Sequence, residues 1–203
     1  MITYSLGSDV VAFTTDRPEG RDPSVICPML NIPDACFLRP HQVHGTKVMR
    51  ITEEDIKAFP VAGPHEWECD AVIYNVRNTC VGISTADCIP VICYDPEHHC
   101  AAAIHAGWRG TVARIVVNTI ERMRATFGTD PTLLRCAIGP GISIESFEVG
   151  DEVYKAFADA GFDMCRIAKR YPVRVASTQE DAQQIVNSKL PNSKLKWHLD
   201  IKE

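Results

Sequence analysis

The fold of this chain is decided by residues 69–106, CDAVIYNVRNTCVGISTADCIPVICYDPEHHCAAAIHA. Turn residues divide the segment into four short apolar runs, Cys69–Tyr74, Cys80–Ser84, Pro90–Tyr94 and Cys100–Ile104. Such runs are typical of strands, and their spacing of about ten residues predicts hairpins in a largely antiparallel or mixed sheet. Because the runs are apolar at successive positions, we expect both faces of this sheet to be covered.

Helices and further strands are predicted on both sides of this segment. Apolar residues at helical spacing predict a helix over 111–127 that ends at Gly128. The remaining predicted elements are strands at Val10–Phe13, Cys36–Leu38, Lys47–Ile51 and Leu133–Ile138, helices at Glu148–Ala160 and Gln179–Lys189, and loop with a helical turn over 53–68. The predicted fold class is α+β, with mixed β-sheets packed between flanking helices in a single domain over residues 1–203.

Composition narrows the classes of function. The 203 residues carry a formal net charge of −5, whereas binding to bulk nucleic acid calls for a basic patch. The chain has no apolar run of about 18 residues, and its first residues lack the basic and apolar regions of a secretion signal. We therefore expect a cytoplasmic protein that binds neither nucleic acid nor membranes.

Nine cysteines are present, an odd number, so they cannot all pair within the chain. Most stand in apolar runs, where a free cysteine behaves as a small hydrophobic residue. The absence of a C-x-x-C motif argues against a zinc ribbon or a thioredoxin-type redox site. At most one or two of the nine are expected to carry chemistry.

Three segments place a polar, reactive residue just past an apolar strand. They are HQVHG at 41–45, ADCIP at 86–90 and HAGWRG at 105–110. Side chains at strand ends are held by a rigid scaffold and still reach a surface cleft, which suits a functional site.

Each candidate residue in these segments has two interpretations. His105 is either hydrogen-bonded to backbone or an imidazole beside a glycine-rich helix entrance, where Arg109 could bind phosphate or carboxylate instead of forming a surface ion pair. Cys88 is either another buried thiol or a reactive one. His41 and His44 are spaced so that both could face one site, although only one need be functional. His98 and His99 follow a turn-forming Asp-Pro and are interpreted as a solvated turn.

One cysteine and two histidines on separate strands provide one sulfur and two nitrogen donors. That set suits tetrahedral zinc with its fourth position open, and it suits copper equally by ligand softness. The spacing of the residues along the chain does not by itself select a metal site.

Six stretches carry a resemblance to a known family, namely QVHG at 42–45, DA at 70–71, TADCIPV at 85–91, HAGWRG at 105–110, IGPGI at 138–142 and FEV at 147–149. Together they resemble the YfiH or laccase-domain family, also called multicopper polyphenol oxidase-like or purine nucleoside phosphorylase. The resemblance implies an α+β fold and a metal site, usually zinc, with His44, Cys88 and His105 as ligands. It also implies phosphorolysis of adenosine, inosine and methylthioadenosine, together with adenosine deamination. An older label is copper laccase, and a peptidoglycan-editing role has been proposed.

The chain departs from the family pattern in three places. Residues 14–20 read TTDRPEG where the family usually has TR-x-GG-x-S, and Gly141 stands where a cysteine is usual. The family also continues past the motif matched by Asp200 and Ile201. We therefore expect a domain that lacks the family's C-terminal segment and any active-site residue within it.

The leading hypothesis is a zinc-dependent purine nucleoside enzyme that uses phosphate as a second substrate. His44, Cys88 and His105 would hold the metal, with copper as the alternative. The remaining catalytic candidates are Arg109 for phosphate binding, Glu148 for substrate contact or acid–base chemistry, and Asp87.

Three other hypotheses remain open. In a metal-free cysteine hydrolase, Cys88 would be the nucleophile and His105 its base. A multicopper polyphenol oxidase is disfavoured, since its clusters need more histidines than the seven present. A non-enzymatic binding protein is the last alternative.

Overall fold

The structure is a computed structural model that describes residues 1–16, 20, 22–58, 63–172 and 195–202. The chain forms two compact units, residues 1–141 and residues 142–203. In these described ranges no helix is both long enough and apolar enough to cross a lipid bilayer.

The elements of the first unit alternate between short strands and short helices. Its strands are β1 (Ile2–Tyr4), β2 (Ala12–Thr14), β3 (Phe37–His41), β4 (Val48–Ile51), β5 (Gly63–Glu68), β6 (Ala71–Tyr74), β7 (Cys80–Val81), β8 (Ile89–Asp95), β9 (Cys100–Ala106) and β10 (Arg135–Ile138). Its helices are α1 (Pro23–Leu30), α2 (Glu53–Ala58), α3 (Trp108–Val112) and α4 (Ile115–Phe127), with 3-10 turns at Asp34–Cys36 and Pro131–Leu133.

A five-stranded mixed sheet lies at the centre of this unit. Its strand order is β10-β8-β9-β6-β4, and all neighbours are antiparallel except the parallel pair β4 and β6. Every residue of β9 is buried. Because successive side chains of a strand point to opposite faces, both faces of β9 are covered, as predicted. Helix α4 packs against β9 and β6, and a buried cluster that includes Leu6 and Tyr94 packs against the sheet.

The sequence prediction of the strand partners was partly wrong. Strands β8 and β9 form a hairpin, but β7 pairs with β3 in a separate parallel sheet of order β5-β3-β7. Apolar runs show where strands lie and carry no information on which neighbour each one meets. Residues 53–58 and 63–68, expected to be loop with a helical turn, form α2 and the unpredicted strand β5. Strand β5 contains no β-branched residue, so its pairing with β3 rather than local propensity accounts for it.

The helix predicted over 111–127 is two helices. Gly107 caps α3, and Arg114 adopts a left-handed conformation (φ 61°) between α3 and α4. Ile115 and Met123 of the predicted apolar stripe are both buried on α4. The apolar periodicity therefore predicts the buried face of α4 but gives no sign of the backbone break at Arg114. Helix α4 ends at left-handed Gly128, as predicted.

The second unit contains the antiparallel sheet β11-β13-β12 and two helices. Its elements are β11 (Glu148–Val149), α5 (Asp151–Asp159), α6 (Met164–Ile167), β12 (Ala168–Pro172) and β13 (Leu195–Leu199). The helix predicted from Glu148 begins three residues later, because Glu148 pairs with His198 in the sheet. The helix predicted at 179–189 lies outside the described residues. The mixture of β-sheets and helices confirms the predicted α+β class.

Candidate metal centre

The structure brings His44, Cys88 and His105 together. Each offers one donor atom, and these three atoms lie within 4.8 Å of one another. Strand register explains the meeting, since Ile89 at the start of β8 pairs with Ala106 at the end of β9. Cys88 immediately precedes Ile89, and His105 immediately precedes Ala106 and pairs with Pro90. His44 comes from the loop that follows β3.

A buried carboxylate contacts two of the three proposed ligands. Asp70 immediately precedes β6 and is 0% exposed. Its Oδ1 accepts hydrogen bonds from Nδ1 of His105 at 2.8 Å and from the backbone N–H of His44 at 2.9 Å. Because Nδ1 of His105 is engaged, Nε2 is the nitrogen left to ligate. Carboxylates that hold a histidine in this way are characteristic of metal centres.

The same carboxylate also holds the His44 loop. Its Oδ2 accepts the backbone N–H of Gly45 at 2.7 Å and that of Val43 at 3.3 Å. His44 itself has a φ of 59°, an uncommon conformation for a residue with a Cβ. Three successive amides directed at one anion offset the cost of this backbone conformation.

The electrostatics of Asp70 favour its charged form. Burial raises its pKa, but the hydrogen bonds from His105 and from the amides of Gly45, His44 and Val43 outweigh burial and lower it. Asp70 therefore remains ionised at neutral pH, and its negative charge favours a cation at the three donors.

Gly107 provides the space beside the donors. A Cβ at this position would lie 3.1 Å from Sγ of Cys88 and 3.2 Å from Cδ2 of His44. Both distances are tighter than ordinary van der Waals contact. The backbone thus approaches the donor atoms closely only because the residue before α3 has no side chain.

The three donors open into a cavity of about 620 Å³. Its lining includes polar or charged side chains from the two segments 39–42 and 84–87, namely Arg39, His41, Gln42, Ser84, Thr85 and Asp87. The side chain of Gln42 joins the two lining segments, because it accepts a hydrogen bond from the N–H of Ser84 at 2.7 Å and donates one to the carbonyl of Ser84 at 2.8 Å. Three protein donors beside open space fit a catalytic metal site, since structural sites use four.

The thiol of Cys88 has a raised pKa when no metal is present. Burial is the largest cause, followed by the negative charges of Asp87 and Asp70. A metal-free cysteine hydrolase would need the opposite shift, because the thiolate is the nucleophile. The raised pKa therefore disfavours a free Cys88 thiolate as a nucleophile.

The other predicted site residues have different positions. Asp87 is exposed and lines the cavity. Arg109 is exposed, its guanidinium lies 4.4 Å from the ring centroid of Trp108, and it is not among the residues that line this cavity. Glu148 is exposed on β11 of the second unit.

The histidines after β8 form the expected turn. Oδ1 of Asp95 accepts the N–H groups of Glu97 and His98, and its Oδ2 lies 2.8 Å from Nδ1 of His98. These groups hold the β8–β9 hairpin and take no part in the cavity around Cys88.

Sequence reasoning missed the supporting residues of the site. Asp70 and Gln42 belong to stretches that carry the family resemblance, but no role was predicted for either residue. A lone acidic residue at the start of the apolar run CDAVIY was the available signal for Asp70. No role for Arg39 was indicated by the sequence, because its position on β3 depends on the pairing of that strand with β5 and β7.

Two curated proteins with named activities are similar to this chain over about 140 residues. A purine nucleoside phosphorylase of Bacteroides thetaiotaomicron is 46% identical over 143 residues, which are 70% of this chain and 53% of that protein. Adenosine deaminase RL5, from an unknown prokaryotic organism, is 36% identical over 141 residues, 67% of this chain and 52% of that protein. The chain therefore spans about half the length of the curated relatives that it matches.

A solved structure shares the fold of this chain, and a family model shows its family. A crystal structure of the hypothetical protein YfiH of Bacillus licheniformis superposes with a TM-score of 0.67 at 21% identity, over 89% of this chain and 60% of that one, which shows a shared fold. The model of the family described as multi-copper polyphenol oxidoreductase laccase matches residues 21–202. The chain belongs to this laccase-like family.

Proposed function

We propose that this chain carries the metal centre of a purine nucleoside enzyme that uses zinc to cleave nucleosides with phosphate and to deaminate adenosine. The observation that carries the proposal is the convergence of His44, Cys88 and His105 on the open cavity, with Asp70 beneath them. The names of the two relatives support the nucleoside part of the proposal.

The donor set fits zinc. One thiolate and two imidazoles are borderline-soft ligands, and the space kept free by Gly107 lies against two of them. A single copper ion also accepts two histidines and a cysteine, which keeps a copper oxidase as the second candidate. Among the described residues the three donors form one cluster, whereas a multicopper oxidase needs several.

When bound, zinc supplies a Lewis acid that polarises a substrate group or an attacking water. The protein's own residues set the geometry. Asp70 fixes the tautomer and ring orientation of His105 and holds the His44 loop through three amides. The ligands are therefore arranged before substrate arrives, which lowers the cost of reorganisation during reaction.

We assign proton transfer in the cavity to Asp87 and phosphate binding to a guanidinium. Asp87 is exposed and lines the cavity next to Cys88, so its carboxylate can reach substrate. Arg39 lines the same cavity and is half-buried, where a planar, permanently charged donor would bind phosphate in a bidentate manner. Arg109 remains the competing candidate for phosphate, and Glu148 remains a candidate for substrate contact.

Product analysis tests the proposal. Purified protein with a measured zinc content is incubated with adenosine, with and without phosphate, and the products are separated by chromatography. Adenine and ribose 1-phosphate formed only with phosphate, or inosine formed without it, supports the proposal. Turnover of a polyphenol by the copper-loaded protein, without nucleoside turnover, would support the second candidate. Stoichiometric zinc with neither activity would favour a binding role.

A further inference from the structure

Two cysteines face each other across strands β8 and β10, away from the candidate metal centre. Cys93 and Cys136 are direct partners in the antiparallel register, and their sulfur atoms lie 3.3 Å apart. Cys93 is five residues beyond Cys88 along the chain, about 16 Å in an extended strand. The pair therefore belongs to neither the metal ligands nor the cavity that they line.

The register shows that the two residues can be cross-linked without moving the strands. Gly139 donates its N–H to the carbonyl of Pro90 at 2.8 Å, which makes these two residues a hydrogen-bonded pair. Pairs alternate along an antiparallel ladder, so Cys136 and Cys93, three positions away, form a non-hydrogen-bonded pair. In such pairs the Cα atoms are about 4.5 Å apart, within the range that a disulfide spans.

The two sulfurs differ in their access to solvent. Cys93 is 0% exposed, whereas Cys136 is exposed on β10, the edge strand of the sheet. The neighbouring positions Tyr94 and Ala137 pack in the cluster around Leu6. Because side chains alternate between faces, the cysteine pair lies on the opposite face of the sheet. An oxidant in solution can thus reach the sulfur of Cys136, whereas the sulfur of Cys93 is buried next to it.

The geometry points to a peroxide-sensitive thiol pair, in which Cys136 is the sulfur attacked first and Cys93 is the sulfur that completes a reversible disulfide. The oxidant is a small hydroperoxide such as hydrogen peroxide. The reaction concerns the edge of the sheet and stands whether or not the proposed nucleoside activity is correct.

The chemistry balances with hydrogen peroxide as the sole co-reactant. The thiolate of Cys136 attacks one peroxide oxygen and breaks the O–O bond, which gives a sulfenic acid and, after protonation, one water. The sulfur of Cys93 then attacks the sulfenic sulfur and releases the second water, with its own proton lost to that leaving group. Two thiols are oxidised by two electrons in all, and one peroxide is reduced to two waters.

The ionisation of the pair supports this order of events. The hydrogen bond with Cys93 lowers the pKa of Cys136 to about 7, while the same contact and burial raise the pKa of Cys93. A thiol with a lowered pKa is ionised to a larger fraction at neutral pH than an ordinary free cysteine. Because the thiolate is the nucleophile, we expect Cys136 to react faster than an ordinary exposed cysteine.

Cysteine mapping of the oxidised protein tests the proposal. The reduced 203-residue chain is treated with hydrogen peroxide, its remaining thiols are alkylated, and its peptides are analysed by mass spectrometry without reductant. We expect a cross-linked peptide pair that contains Cys93 and Cys136, that carries two hydrogens less than the reduced pair, and that disappears after dithiothreitol. Intact peptides with both thiols alkylated would overturn the proposal, as would a disulfide from Cys136 to another cysteine or to a second chain.

A variant isolates the first step. In Cys93→Ser the sulfenic acid on Cys136 has no partner beneath it, so dimedone should trap it there. Cys165, which is also exposed, provides an internal reference for the rate of labelling. Labelling of Cys136 no faster than that of Cys165 would contradict its role as the attacked sulfur. Peptide mapping of the unmodified chain tests whether the disulfide forms, and this test does not depend on how well Cys93→Ser folds.

Discussion

Asp70 and His105 are joined by two hydrogen bonds. The Nδ1–H of His105 donates to the Asp70 carboxylate at 2.8 Å, and the N–H of His105 donates to the Asp70 carbonyl at 2.7 Å. Both the ring and the backbone of this histidine are therefore set by one buried residue. The backbone contact continues the pairing of β6 with β9, so the sheet itself aligns the proposed ligand.

Asp70→Asn should weaken metal binding by about 10–100-fold, a usual effect of losing the partner of a ligating histidine. The amide places an N–H donor where the carboxylate had an acceptor, and it removes the charge that favours a cation. Competition with a chromophoric chelator measures the affinity. Asp95→Asn is the matched control, since Asp95 is also buried against a histidine but lies outside the site. Equal metal affinity in Asp70→Asn and the unmodified chain would contradict the assigned role.

Gly107→Ala should abolish or strongly reduce zinc binding while leaving the fold intact. The added methyl would lie 3.1 Å from Sγ of Cys88 and 3.2 Å from Cδ2 of His44, so one of the two side chains must move. Gly161→Ala is the control, because no atom lies within 4 Å of its added Cβ although its φ is +76°. That variant should lose about 1 kcal/mol of stability from backbone strain and keep its zinc. Full zinc content in Gly107→Ala would show that the space beside Cys88 and His44 tolerates a methyl group, which would contradict the described geometry.

Cys88→Ala should remove the metal and the activity without unfolding the protein. Cys80→Ala should instead lower the free energy of unfolding by on the order of 1 kcal/mol and keep the metal, because Cys80 packs with the cluster around Phe37. Zinc content and urea unfolding of both variants check this contrast. Retained zinc in Cys88→Ala would mean that another cysteine is the ligand.

Arg39→Lys should raise the KM for phosphate or reduce phosphorolysis roughly tenfold, about 1.4 kcal/mol of transition-state stabilisation. Lysine keeps the charge but loses the planar, two-pronged donor. Arg109→Lys is the matched comparison, since the Arg109 guanidinium stacks on Trp108 and should leave phosphate dependence unchanged. The reverse pattern in the two variants would restore Arg109 as the phosphate residue.

Stability should fall in acid partly through Asp95. Burial raises its pKa, but hydrogen bonds with Thr129, His98 and Glu97 outweigh burial and lower it. A carboxyl whose folded pKa lies below its unfolded value stabilises the fold above about pH 4, and this contribution is lost as the pH falls through the folded pKa. Urea unfolding as a function of pH should therefore show a shallower acid loss in Asp95→Asn. Identical pH profiles in the two proteins would show that Asp95 does not contribute to the loss of stability in acid.

The sequence sufficed to predict the elements that bury apolar runs. Strands β8 and β9 and the end of α4 at Gly128 follow from local pattern and from one glycine. The pairing of β7 with β3 did not follow, because the partner of a strand is chosen by the whole sheet. The break at Arg114 was hidden by an apolar stripe that continues across it.

The candidate site was likewise predictable only in part. His44, Cys88 and His105 stand in strand-end motifs that differ visibly from their surroundings, and the resemblance to a family singled them out. The function of Asp70 was not predictable, since its partners lie 25 to 35 positions away along the chain. The position of Arg109 depended on a local stacking contact with Trp108 that the motif HAGWRG did not reveal.

X-ray absorption at the zinc edge tests the central claim most directly. The chain is loaded with one equivalent of zinc, and the same measurement is made on Cys88→Ala. We predict one sulfur neighbour at about 2.3 Å with nitrogen or oxygen neighbours at about 2.0–2.1 Å, and loss of the sulfur neighbour in the variant. A zinc ion without a sulfur neighbour in the unmodified chain, or a sulfur neighbour that persists in Cys88→Ala, would contradict a centre built from His44, Cys88 and His105.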